Sequence, residues 1–125
     1  MSKRILIVDH HMEFVRQLKT MLEAAACMVE TRTDAVSGGA GVALFKPEAA
    51  VVDMDLPAGG GRIVYRVLRT GSASRDIPVV LLLAPGPRKV WEELGATPHP
   101  GTLVLRRSPD LRLLFPTLKA LLGLA

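Results

Sequence analysis

Two aspartates each close an apolar run: Asp9 follows Ile5-Leu6-Ile7-Val8, and Asp53 follows Ala49-Ala50-Val51-Val52. A carboxylate at the carboxyl tip of a buried strand sits at the rim of the core, where a small anionic donor can reach it. Pro57 stiffens the loop after Asp53, and Gly61 lets that loop turn. Brought into one crevice, the two carboxylates repel, and a divalent cation relieves the repulsion. Mg²⁺ takes oxygen ligands while leaving positions for water and phosphate, so paired acids suit it. The chemistry such a site supports is attack of an Asp53 oxygen on a phosphoryl group that the metal neutralises, giving an acyl phosphate.

Those carboxylates need a scaffold, and the hydrophobic pattern supplies one. Lys3 to Asp9 reads as a strand covered on both faces, and Phe14, Leu18, Met21, Leu22 and Ala25 recur at helical spacing over Met12 to Ala25. A half-polar strand over Cys27 to Thr31 follows. Ala35 to Phe45 takes the next helix slot, but Gly38, Gly39 and Gly41 lie inside it at about 1 kcal/mol each relative to Ala, which predicts a short, irregular or mobile helix.

Ala49 to Asp53 is the central strand, and Arg62 to Arg69 a helix with Ile63, Val64, Val67 and Leu68 inward. Ile77 to Leu83 is the most apolar strand, Arg88 to Leu94 a helix of barely two turns, and Leu103 to Arg106 the last strand. Ser108-Pro109-Asp110 predicts a helix start capped by Ser108, and Pro116 should kink or restart that helix. Strands alternating with helices demand parallel strands and right-handed crossovers, hence an open α/β sheet covered on both sides with its site at the carboxyl ends.

At 125 residues and 49% hydrophobic, the chain has the size of one domain with a real core, expected over residues 1–125 with no output domain. No apolar stretch approaches a membrane span, and Met1-Ser2-Lys3-Arg4 runs directly into a strand, so the expected location is cytoplasmic. Cys27 is alone and reads as a small buried residue. The net charge of +4 favours acidic partners, and Arg62, Arg66 and Arg69 fall on one helical stripe that an acidic protein surface would fit. Nucleic acid fits less well, because no aromatic residues interleave with the arginines and no recognition-helix pattern is present. A conventional enzyme fits least: there is no glycine-rich phosphate loop after the first strand, no nucleophile elbow and no metal-spaced His or Cys set.

Over nearly its whole length the chain resembles the response-regulator receiver family, of the single-domain chemotaxis type. The resemblance rests on Lys3 to Asp9, the Thr33-Asp34 to Lys46-Pro47 span, Asp53 with Pro57 and Gly61, and Ile77-Pro78-Val79-Val80. It implies a flavodoxin-like, doubly wound three-layer αβα sandwich with a five-stranded parallel sheet in the order 2-1-3-4-5. It also implies that Asp53 is the phosphoacceptor, that Asp9 and Asp53 hold Mg²⁺ together with the backbone carbonyl of Asp55, and that a histidine kinase or another signalling protein is the partner.

The departures from the family are chemical. His10 stands where the family has its second acid, so Mg²⁺ should bind weakly, and an imidazole there suits Zn²⁺, Cu²⁺ or Ni²⁺ better. Leu83 stands at the Ser/Thr switch position and cannot donate a hydrogen bond to a phosphoryl oxygen. The family's Lys has no clean counterpart; of Arg106 and Arg107, the first is the favoured substitute. These changes point to a degenerate receiver, a pseudo-receiver, with impaired or lost phosphorylation and protein docking as its output. The retained Asp9 and Asp53 keep an active phosphoacceptor as the alternative, and a basic polyanion-binding module on the same scaffold as a second one. His11 and Glu13 read as solvent-facing residues that open the first helix.

Overall fold

A computed structural model describes residues 2–108 and 110–124. Five short strands alternate with five helices: β1 (Arg4–Val8), α1 (Met12–Ala24), β2 (Met28–Arg32), α2 (Ala35–Phe45), β3 (Ala49–Asp53), α3 (Gly60–Thr70), β4 (Val79–Leu83), α4 (Val90–Leu94), β5 (Thr102–Arg106) and α5 (Leu111–Leu121). A single 3₁₀ turn, Pro57–Gly59, joins β3 to α3. Every strand pair is parallel and the spatial order is β2-β1-β3-β4-β5, the doubly wound order expected from the resemblance.

Strand side chains alternate between faces, and the two cores follow that period. Leu6, Val8, Val52 and Leu81 pack with Val64, Leu68, Val90 and Leu94 on the side of α2, α3 and α4. Ile5, Ile7, Val51 and Leu82 pack with Leu18, Leu22, Leu114 and Leu118 on the side of α1 and α5. β1, β3 and β4 are almost fully enclosed, which is why they read as unbroken apolar runs.

The glycine-rich α2 is a full helix of 11 residues rather than a short or irregular one. Its glycines permit a close approach to the sheet: a Cβ at Gly38 would lie 2.9 Å from Val8 Cγ1, and one at Gly41 would lie 3.1 Å from Leu6 Cδ1. Tertiary packing therefore outweighs the propensity cost.

Three further expectations change in detail. α5 runs through Pro116 without a break, and its cap is Asp110, whose carboxylate accepts the Arg112 N–H, rather than Ser108. The expected role of Pro109 lies outside the described residues. Ile63 is exposed, and Tyr65 takes the inward position in α3, its hydroxyl 2.6 Å from Thr102 Oγ1. Trp91 is half-buried against the α2/α3/α4 core, edge-on to Tyr65. Cys27 is buried, and burial pushes its thiol pKa up.

Candidate functional site

β1 and β3 are neighbours with Val8 paired to Val52, so the next residue of each strand, Asp9 and Asp53, leaves the sheet at the same edge. Both side chains are fully buried. Their alternation parity is that of Ile7 and Val51, which directs them toward the α1/α5 side.

The two carboxylates are held by groups from three segments: the residues after β1, the loop after β3 and Arg107. Asp9 Oδ1 accepts the His11 backbone N–H at 2.8 Å and lies 2.9 Å from His11 Nδ1. Asp53 Oδ2 lies 2.5 Å from His10 Nδ1 and 3.4 Å from His11 Nδ1. Asp53 Oδ1 accepts the Asp55 backbone N–H at 2.8 Å. Arg107 spans both acids, its Nη2 standing 2.8 Å from Asp9 Oδ2 and 3.4 Å from Asp53 Oδ1. Its guanidinium lies over the Phe14 ring, 4.7 Å from the centroid, and its buried Nη1 has no hydrogen-bond partner. The repulsion between the acids is thus relieved internally, by a guanidinium and two imidazoles.

His11 opens the first helix and is exposed, as expected, but it also takes part in the site. It is the N-cap residue of α1, but instead of capping that helix its ring turns back to Asp9. Only Asp9, His10 and His11 separate β1 from α1, so the helix starts beside the crevice, and that was the available signal.

Arg107 rather than Arg106 reaches the acids. Arg106 is exposed and donates to the Gly86 carbonyl. The signal here was parity: Leu105 packs on the α1/α5 side, so Arg107, two residues on, returns to the side of Asp9 and Asp53, while Arg106 faces the other way.

Asp55 has a different set of partners. Its carboxylate accepts the Ala84 N–H at 2.8 Å and lies 2.5 Å from Arg88 Nη1, and Arg88 also grips Glu93. Burial raises the Asp55 pKa, but the Ala84 N–H and the Arg88 guanidinium outweigh it and hold the carboxyl below its usual range. Leu83, 2% exposed, packs in the α2/α3/α4 core beside Leu81. Gly61 does more than turn the chain: a Cβ there would lie 2.5 Å from the Asp53 carbonyl oxygen and 2.7 Å from Met54 Cα, so only glycine lets α3 start against the acceptor loop.

In the predicted basic stripe, Arg62 and Arg66 are exposed, but Arg69 is tied inward to Tyr65, Ile77 and Thr102. Its bond to the Ile77 carbonyl is 2.8 Å and that to Thr102 Oγ1 is 2.7 Å, which makes Arg69 a brace between α3 and β5.

The donor set departs from what Mg²⁺ takes. Asp9, His10, His11 and Asp53 each offer one atom, all within 4.8 Å of one another, and two of the four are imidazole nitrogens. Mg²⁺ prefers an octahedron of oxygens, and the outer carboxylate oxygens are already held by Arg107 and the Asp55 N–H.

No family model matches the chain. The response regulator PleD of Caulobacter vibrioides is 37% identical over 84 residues, 67% of this chain and 18% of that protein. The DNA-binding dual master transcriptional regulator RpaA of Synechocystis sp. is 32% identical over 83 residues, 66% of this chain and 34% of that protein. The chain therefore spans about a fifth to a third of these relatives.

Among solved structures, the signal receiver domain of a DNA-binding response regulator from Colwellia psychrerythraea 34H matches with a TM-score of 0.76 at 19% identity, covering 98% of this chain and 99% of that one. The receiver domain of a sensor histidine kinase from Pseudomonas aeruginosa PAO1, solved with a magnesium ion coordinated in its active site cleft, matches with a TM-score of 0.78 at 20% identity, again over 98% and 99%. At such identities the likeness is one of fold. Relatives by sequence and neighbours by fold together support a response-regulator receiver domain, the module of two-component signalling.

Proposed function

We propose that this chain is an atypical receiver in two-component signalling, with Mg²⁺-dependent phosphorylation of Asp53 impaired and docking to another protein as its output. One observation carries the reading: both oxygens of Asp53 are engaged, Oδ2 by His10 and Oδ1 by the Asp55 N–H and Arg107. A nucleophilic carboxylate needs a free oxygen and a neutralised target. Here the neutralising charge sits on the nucleophile itself, and the outer carboxylate oxygens that Mg²⁺ would take are already held by Arg107 and the Asp55 N–H.

Leu83 supports the same reading, because an aliphatic side chain gives an added phosphoryl group no hydrogen bond by which to favour a second conformation. The partner is a histidine kinase or another signalling protein, and the exposed Arg62 and Arg66 suit an acidic patch on it. A cytoplasmic location accords with this role, and no helix among the described residues is long and apolar enough to cross a membrane.

The active phosphoacceptor is the second reading, favoured by the unpaired Arg107 Nη1, a buried donor beside the acid pair that a phosphoryl oxygen would satisfy. Incubation with acetyl phosphate and Mg²⁺, followed by intact mass measurement, separates the two. Impaired chemistry predicts that most of the protein stays unmodified. Near-stoichiometric gain of one phosphoryl group, abolished in Asp53→Asn, would establish the active switch instead.

A further inference from the structure

The crevice holds two kinds of carboxylate oxygen. Asp9 Oδ1 and Asp53 Oδ2 face the Nδ1 atoms of His10 and His11 at 2.5 to 3.4 Å. Asp9 Oδ2 and Asp53 Oδ1 face Arg107 and the Asp55 N–H. Each acid thus turns one oxygen to the imidazoles and keeps the other braced from behind.

We propose that Asp9, His10, His11 and Asp53 form a four-coordinate site for a borderline divalent transition ion of the Zn²⁺ class, in place of Mg²⁺. Two neutral imidazoles and two carboxylates are the ligand types such an ion takes, at about 2.0 to 2.2 Å. Around a tetrahedral ion these donors would stand about 3.3 Å apart, and the four atoms here already lie within 4.8 Å of one another. Both acids are fixed by burial. The imidazole side chains are 38% and 44% exposed, so they have the freedom to close on an ion.

Arg107 and the Asp55 N–H then act as the outer hydrogen bonds that orient ligating carboxylates, each on the oxygen the metal does not use. The two acids carry two negative charges and Arg107 one positive, so the crevice keeps a net negative charge for a cation to offset. On binding, each imidazole gives up to solvent any proton on the Nδ1 that becomes a ligand.

The site depends on the four donors alone and not on the state of Asp53 as a phosphoacceptor, so its test is separate from the phosphorylation assay. Purified chain is titrated with Zn²⁺ against a chromophoric chelator, in the presence and absence of millimolar Mg²⁺, and with Co²⁺ followed by visible absorption. The proposal expects one Zn²⁺ per chain, little competition from Mg²⁺, and the intense visible bands of tetrahedral Co²⁺. His10→Ala and His11→Ala should each weaken Zn²⁺ binding about tenfold or more, while His99→Ala leaves it unchanged. Both site histidines lie at the surface, so far-UV circular dichroism should show folded variants. Zn²⁺ affinity unaltered in both variants, full displacement by Mg²⁺, or a Co²⁺ spectrum of the octahedral type would each overturn it.

Discussion

Arg107, the first residue past β5, lies with its Nη2 2.8 Å from Asp9 Oδ2 at the tip of β1, and the same nitrogen is 3.4 Å from Asp53 Oδ1 at the tip of β3. A fixed cation from an outer strand therefore stands over the acid pair of two central ones. Arg107→Met should leave two buried carboxylates without their main partner, costing about 3 to 5 kcal/mol in urea unfolding at neutral pH. The same variant frees Asp9 Oδ2 and Asp53 Oδ1 for an oxygen-seeking ion and should bind Mg²⁺ more tightly, which backbone amide shifts around Asp9 and Asp53 would report.

His10→Asp tests the converse change. Replacing the imidazole on Asp53 Oδ2 by a carboxylate adds an oxygen ligand and removes a nitrogen one. Mg²⁺ affinity should rise about tenfold or more, each factor of ten being ~1.4 kcal/mol. Isothermal titration of the variant beside the wild type measures it, and an unchanged affinity would mean that His10 does not set metal preference.

Gly61→Ala places a methyl group 2.5 Å from the Asp53 carbonyl oxygen and 2.7 Å from the Met54 carbonyl oxygen. Backbone atoms cannot swing aside as a flexible side chain can, so the expected cost is about 1 to 3 kcal/mol in chemical denaturation. Gly39→Ala, whose nearest contact is Val67 Cγ2 at 3.8 Å, should instead be neutral or mildly stabilising.

Arg88 gives the acid limb of stability a specific origin. It bonds to Glu93 and Asp55, and both carboxyls are held below their usual range: Glu93 chiefly by the Arg88 hydrogen bond, Asp55 by the Ala84 N–H and Arg88 against the opposing effect of burial. A carboxyl whose folded pKa lies below its unfolded one stabilises the fold above the unfolded value, about 4, and loses that contribution as pH falls through the folded value. Arg88→Met should therefore flatten the fall in urea midpoint below about pH 4 while lowering the midpoint at neutral pH.

Much of this molecule was legible in its sequence, and the reasons differ by element. The enclosed strands β1, β3 and β4 carry uninterrupted apolar runs, so the position of Asp53 at a strand end followed from composition alone. The glycines of α2 misled because propensity records what a helix loses with glycine, not what the sheet beneath gains by letting Val8 and Leu6 come close. The exposure of His11 was legible from its place at a helix N-terminus, but its reach back to Asp9 was not, because that helix starts at the crevice. Arg106 and Arg107 were selected by charge alone, when the alternation of β5 against the two cores was the better guide. Arg69 showed the same weakness: a helical stripe gives direction around an axis, but not that Thr102 and Ile77 wait at one end of it.

The Asp55 carboxylate pins the Ala84 N–H and clasps Arg88, so the loop after β3 is bolted to the segment that leads from β4 into α4. Such a clasp opposes sliding of the two segments past one another when the neighbouring crevice changes. Under the docking role proposed above, a partner of the exposed α3 arginines that also reached α4 would meet a contour held by that clasp. The message such a surface carries is then how many copies are present, rather than what has been done to any one of them.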